Sequence, residues 1–274
     1  MYIISVSVKK EQSEIALFDK EYRLLCKKDG GASNTSRLCA DLLSEQKIKP
    51  TDVAYIGVAL EAEMGSPDAI AAEIERSVGI PCHGASWIDA KALGEAYIAN
   101  DAPSLLILSI DDTVDSSIVI DKKIYLGTHG LGAKIAHMVI RVDGHACTCG
   151  RQGCLEAYVS HSGMRRIAAD AGIPNAQALT PLALFEMSTP EAERAKKEYV
   201  SHLACGLTNI INLFQTHELV LEGPLSEVGD KLMSPLMDIV LREQYSRDMP
   251  NKCKVRFSSS TADTALIGAA LLGR

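Results

Sequence analysis

The chain has 274 residues, a formal net charge of −7 and a hydrophobic content of 47%, of which little is aromatic. That is enough apolar material for one large or two smaller domains with an aliphatic core. The acidic balance excludes a general nucleic-acid binder, which needs a basic face to displace counterions from phosphates, and no stretch approaches the roughly 20 apolar residues that span a bilayer.

The start, MYIISVSVKKEQSEIALF, lacks a cleavable signal pattern. Cys26, Cys39, Cys82, Cys205 and Cys253 are scattered singly in apolar or mixed contexts, as buried small hydrophobes are, not as a disulfide framework would be. The expectation is a cytoplasmic protein with no membrane partner and no direct nucleic-acid partner.

YIISVSV, beginning at Tyr2, reads as a strand. EIALFD and EYRLLCKK extend it into an antiparallel meander with a tight turn near Asp19, Lys20 and Glu21. SNTSRLCADLLSEQKI carries capping residues and then leucines at helical spacing. VAYIGVAL is a buried strand. SPDAIAAEIERSVG is an amphipathic helix with Pro67 in its first turn and Gly79 at its end. WIDAKALGEAYIAN continues as a helix. SLLILSI, SSIVID and KKIYLG then repeat the opening three-strand pattern. EYVSHLACGLTNIINLFQ is a long apolar helix, ELVLEG a buried strand, and TADTALIGAALLGR a small-residue helix. Two similar meander-plus-helix halves predict an α/β protein with duplicated domains. The expected boundaries are 1–103, completed by the helix 261–274, and 104–260.

The densest chemistry lies in HMVIRVDGHACTCGRQGCLEAY, residues 137–158, where Cys147, Cys149 and Cys154 fall within eight residues among glycines. Thiolates bind zinc tetrahedrally, and glycine turns let neighbouring thiolates converge. A Cys-x-x-Cys redox motif is absent, and a disulfide suits a reducing compartment poorly. A structural zinc site needs a fourth ligand; His137, His145 and His161 are the candidates on spacing. Three cysteines and one histidine make a closed site with no position for water.

This segment resembles the signature of the ROK family (repressors, open reading frames and kinases). The similarity extends through ALGEA, ELVLEGPLSEVGDKL and DTALIGAALL. It implies an actin-like (ribonuclease H-like) ATPase fold of two domains related by duplication, with a small zinc-binding module. It also implies zinc ligands His137, Cys147, Cys149 and Cys154, and a dimer. Family members are sugar kinases or sugar-responsive repressors.

The family's kinase motifs align to altered residues. Its first phosphate turn, D-I-G-G-T, falls on Ser7, Val8, Lys9, Lys10 and Glu11. Its second, G-T-G-x-G-x-G, falls on Asp111, Asp112, Thr113, Val114, Asp115, Ser116 and Ser117, with no glycine left. Backbone N–H groups approach phosphate oxygens only where no Cβ intervenes.

The catalytic N-D-A-N falls on Ser86, Trp87, Ile88 and Asp89, which places Trp87 at the base; a two-residue gap would restore Asp89 to that role. The sugar-gripping E-x-G-H becomes Lys134, Ile135, Ala136 and His137. G-V-P-G becomes Gly57, Val58, Ala59 and Leu60, and the loop that follows is largely missing. G-G-G becomes Glu222, Gly223 and Pro224. Glu156 is kept, as a vestigial substrate-binding residue.

The expectation is therefore a catalytically inactive ROK-like pseudokinase holding structural zinc and binding neither ATP nor Mg. It would regulate or bind through a homodimer or a related protein, with any small-molecule ligand left open. The alternatives are an atypical ATP-dependent sugar kinase using Asp89 as base, and a sugar-responsive transcriptional regulator. The family's repressors carry an N-terminal DNA-binding domain; with the first strand read at Tyr2, the expectation under this last alternative is a regulator lacking its own.

Overall fold

The computed structural model describes residues 1–100, 102–130, 132–245, 248, 252–259 and 263–274. Contacts divide the chain into two compact units. One comprises Met1–Pro103, Val119–Ile124 and Ser259–Arg274; the other comprises Ser104–Ile118 and Tyr125–Ser258.

In the first unit, β1 (Tyr2–Val8), β2 (Gln12–Phe18) and β3 (Leu24–Gly31) form the antiparallel meander. The third strand starts three residues later than the sequence reading places it. The carboxylate of Asp19 accepts the N–H groups of Glu21 and Arg23, each at 2.9 Å, and holds the intervening segment as a turn. Helix α1 (Thr35–Glu45) crosses to β4 (Val53–Leu60), which runs parallel to β1. Helix α2 (Pro67–Val78) ends on left-handed Gly79 and leads to β5 (Cys82–Ser86), then to α3 (Trp87–Ile98). The sheet order is β3-β2-β1-β4-β5.

Alternation along β1 decides what each face covers. Ile4, Val6 and Val8 pack with Leu38, Leu42 and Ile74 of α1 and α2. Ile3 faces the other way, with Phe18 and Tyr55, against the C-terminal helix.

The second sheet contains β6 (Ser104–Ile110), β7 (Val114–Ile120), β8 (Lys123–Ile124), β9 (Glu218–Glu222) and β10 (Lys254–Phe257), ordered β10-β9-β6-β7-β8. Counted from its third strand this is β8-β7-β6-β9-β10, the order of the first sheet. The duplication anticipated from the repeated strand pattern is therefore a topological one. Its third strand is much reduced, because KKIYLG contributes only two residues to the ladder.

Helices α4 (Glu156–Val159), α5 (His161–Asp170), α6 (Pro181–Glu186), α7 (Pro190–Phe214) and α8 (Asp230–Glu243) build the rest of the second unit. Helix α7 begins eight residues earlier than its apolar stripe indicates, because the Thr189 hydroxyl caps it at the N–H of Ala192 and Pro190 occupies its first turn. Its Tyr199, Leu203, Leu207 and Ile211 are buried with Leu155, Val159, Leu219 and Leu236. The buried Tyr199 hydroxyl donates to the Val159 carbonyl at 2.9 Å.

Helix α9 (Thr264–Ala270) closes the chain; Thr261 and Ala262, also read as helical, lie outside the described residues. It packs on α3 at backbone distance. A Cβ on Gly268 would overlap the Ala90 carbonyl, and one on Gly94 would overlap the Thr264 carbonyl. Small residues therefore set this helix pair, with Ala59, Ala90 and Ala269 buried together beside it. Gly268→Val is expected to destabilise the protein by about 1–3 kcal/mol or more through overpacking. Gly31→Ala, with open space around it, should stay within about 0.5 kcal/mol. Equal urea midpoints for the two variants would contradict this packing.

Candidate functional site

The cysteine segment folds as a compact irregular loop, held by backbone pairing of Val139 with Cys154 and of Ala146 with Gln152. The N–H of Cys147 donates to Arg151 O at 2.8 Å, and the N–H of Leu155 to Met138 O at 2.8 Å. Gly153 has φ 76° and sits against the Arg141 carbonyl, where a side chain would not fit. The loop is anchored from below by the buried Tyr158, whose hydroxyl accepts the N–H of His145 at 2.9 Å.

This frame brings one ligand atom from each of His137, Cys147, Cys149 and Cys154 within 4.8 Å of one another. Cys149 Sγ lies 3.7 Å from Cys154 Sγ, and Cys147 Sγ lies 3.6 Å from His137 Nδ1. Tetrahedral bonds of about 2.3 Å to sulfur and about 2.0 Å to nitrogen place two sulfurs about 3.8 Å apart, and sulfur and nitrogen about 3.5 Å apart. The donor set and its spacing fit zinc. Of the competing histidines, His145 stacks beside Tyr158 with ring centroids 5.2 Å apart, and His161 pairs with Asp111 at 3.1 Å. Burial pushes the Cys154 thiol up to about 12, and its neighbouring thiols add to the rise. Cys149, at the exposed tip, is held below its ordinary value by the N–H of Arg151.

Glu156 is buried, and both its oxygens are engaged. One accepts the Val114 N–H at 3.1 Å, and the other accepts the Thr148 hydroxyl at 2.6 Å and faces the Cys147 thiol at 3.4 Å. Burial pushes its carboxyl up, but these donors outweigh that and hold it below its ordinary value. Thr148 and Tyr158 escape sequence reasoning. Their only signal is position, Thr148 between two cysteines and Tyr158 closing the GCLEAY run.

The glycine-free turn Asp111–Ser117 carries three carboxylates, and each meets a base of the same unit. Asp111 meets His161, Asp112 meets Arg165 at 3.5 Å, and Asp115 meets Lys134 at 3.3 Å. Lys134 and Asp115, which the resemblance aligns to a glutamate and a glycine, thus face each other. That pair is substantially exposed and contributes little to stability.

In the first unit, Ser7 is buried and its hydroxyl has no hydrogen-bond partner among the described residues. Lys9 and Lys10 follow at the end of β1. The N–H of Lys10 donates to Glu61 at 3.1 Å, and its ammonium lies 3.6 Å from Glu63. At the N-terminus of α3 the Ser86 hydroxyl donates to the Asp89 carboxylate at 2.6 Å and accepts the Asp89 N–H at 3.2 Å. Asp89 therefore serves its own helix cap. Trp87 carries two cations near its ring, Lys9 Nζ at 5.5 Å and Lys91 Nζ at 4.8 Å from the centroid.

The family model described as "ROK family" matches residues 54–274. This chain belongs to the ROK family. It is 24% identical over 188 residues to a putative xylose repressor of Caldicellulosiruptor sp., covering 63% of this chain and 47% of that protein. It is 28% identical over 162 residues to a glucokinase of Halalkalibacterium halodurans, covering 53% and 49% respectively. The chain spans about half the length of these curated relatives.

Among solved structures, the ROK hexokinase from Thermus thermophilus superposes with a TM-score of 0.84 at 22% identity, covering 99% of this chain and 98% of that one. The ROK glucokinase from Streptomyces griseus, solved with glucose and AMPPNP, superposes at 0.70 with 19% identity and 99% coverage of both chains. These likenesses establish the actin-like ATPase fold for this ROK chain. Among the described residues, no helix is long and apolar enough to cross a membrane.

Glu156→Ala strands the buried Val114 N–H and removes the Thr148 acceptor. It is expected to cost about 1–3 kcal/mol, read as a lower urea midpoint; an unchanged midpoint would show that this carboxylate organises nothing.

Proposed function

We propose that this ROK chain is a catalytically silent relative of the sugar kinases. In this reading it keeps structural zinc on His137, Cys147, Cys149 and Cys154 and acts by binding or regulation, as a homodimer or with a related protein. The observation that carries the reading is the replacement of phosphate-cradling turns by side-chain pairs. The second turn is filled by Asp111, Asp112 and Asp115 with their bases. Glycine turns hold phosphate through backbone N–H groups; carboxylates there repel it.

The base position supports the same reading. Trp87 has no proton-accepting atom, since its indole nitrogen only donates. Asp89 is tied to Ser86 at the helix cap. Glu156 has both oxygens committed inside the fold. A general base contributes about 10²–10⁴ in rate, and substrate positioning contributes more. Zinc in the cysteine loop would be closed to water by its four protein ligands, leaving it a structural part.

Two measurements test this. Incubation with Mg-ATP and glucose, xylose or N-acetylmannosamine should give no sugar phosphate above background. Turnover in the ordinary range of about 1–10³ s⁻¹, abolished in Asp89→Asn, would overturn the reading in favour of an active kinase. For the metal, Cys149→Ser should lower zinc content and melting temperature together, because metal binding contributes folding free energy. Full zinc content with an unchanged melting temperature would rule out the assigned ligands.

A further inference from the structure

We infer that Cys149 and Cys154 form a peroxide-responsive modification site, a thiol pair that closes to a disulfide and gives up zinc. The inference rests on the zinc assignment proposed above and names how that same site is regulated. Cys149 stands exposed at the tip of the loop, Cys154 is fully buried, and their Sγ atoms are 3.7 Å apart. One sulfur is open to a small oxidant, and the second is placed to resolve the product. An accessible thiol with a resolving thiol close by is the arrangement of a redox-sensing pair.

The backbone lets the gap close. An S–S bond is about 2.05 Å long, so the sulfurs have to approach by about 1.7 Å from their present separation. Cys154 is the fixed partner, since its backbone pairs with Val139 and the next N–H, of Leu155, donates to Met138 O. Cys149 is the movable one. Gly150 follows it at φ 85°, and no atom lies near the position a Cβ would take there, so this side of the turn has open space. Cys147 is a poorer partner, flanked by His137 at 3.6 Å and by the Glu156 carboxylate at 3.4 Å. Cys26, Cys39, Cys82 and Cys253 are buried or half-buried, and Cys205 is exposed outside the cluster.

The chemistry balances with hydrogen peroxide as the oxidant. The Cys149 thiolate attacks one peroxide oxygen and breaks the O–O bond, giving a sulfenic acid and hydroxide. The Cys154 thiolate then attacks that sulfur, and a second hydroxide leaves. Each sulfur gives up one electron, the peroxide gains both, and two protons from solvent complete two waters. The disulfide leaves His137 and Cys147 as the remaining donors, too few for a closed four-ligand zinc site. A standing disulfide suits a reducing compartment poorly, but a transient one is the form that redox sensing takes there. Exposed disulfides are also the more easily reduced ones, which makes the change reversible.

The experiment uses the full chain carrying Cys205→Ser, so that the exposed thiol outside the cluster contributes nothing. Bound zinc is first measured by metal analysis. Hydrogen peroxide is then added while a chromogenic chelator follows released zinc, remaining thiols are blocked, and the protein is mapped by trypsin and mass spectrometry. Cleavage after Arg151 puts Cys149 and Cys154 on separate peptides, so a crosslink is read directly. The expected result is a crosslink of Cys149 to Cys154, zinc released in equal amount, and recovery of zinc content and melting temperature after dithiothreitol and added zinc. Cys149→His keeps a metal-ligating side chain but no thiol, and should hold zinc about tenfold longer or more in peroxide.

Zinc-loaded protein that forms no crosslink would overturn the proposal. So would Cys149 passing to sulfinic acid without a crosslink, or a zinc-loaded Cys149→His that releases metal as fast as the parent. A chain that takes up no zinc would instead remove the zinc assignment. The crosslink map then decides the thiol pair by itself: its presence keeps the pair as a modification site, and its absence removes it.

Discussion

The convergence of four donor atoms within 4.8 Å is the constraint on which the second unit depends. Among the described residues between β8 and α4 there is almost no regular secondary structure, so no helix or sheet ladder among them fixes the course of the chain. Its position comes from single backbone bonds, from Tyr158 beneath it, and from the Glu156 carboxylate, which joins Thr148 of the loop to Val114 at the start of β7. A metal held by the four donors would replace many weak constraints with one strong one. In the proposed reading such a metal would stabilise the unit.

The other constraint is steric. A phosphate cradle built from backbone N–H groups tolerates no side chain at the closest approach. Where the family resemblance aligns glycines, this chain carries Lys9, Lys10 and the Asp111–Ser117 run, and many of these charges have partners nearby. Lys134 faces Asp115, Arg165 and His161 face Asp112 and Asp111, and Lys10 faces Glu63. These contacts make the segment a set of charge pairs. Lys9 and Lys91 also both approach the ring of Trp87.

Much of the fold is legible because its signals are local. The strands alternate or run apolar, Pro67 and Gly79 bracket α2, and the repeated strand pattern announces the duplication. What escapes is short or non-local. Helices α4 and α6, with 4 and 6 residues, offer too few turns for an apolar stripe, although Thr189-Pro190 marks the start of α7. The third strand of the second meander is shorter than its composition implies.

At the site, the cysteine spacing with its glycines points to metal-binding geometry, while the choice of His137 needs either the family resemblance or the coordinates. The pairing of Lys9 with Trp87 cannot be read from sequence at all, because 78 residues separate them and only the parallel arrangement of β1, β4 and β5 brings the strand ends together. Lys91 gave a fainter signal, as a charge inside the otherwise small and apolar run of α3.

Whether the native chain engages a nucleotide decides between a silent and an active kinase. A thermal-shift titration of zinc-replete protein with Mg-ATP reads this directly, because a ligand that binds the folded state raises its melting temperature by mass action. The account predicts no shift at millimolar Mg-ATP beyond that produced by equal concentrations of inorganic phosphate. A larger shift specific to Mg-ATP, growing further in the presence of a sugar, would contradict it.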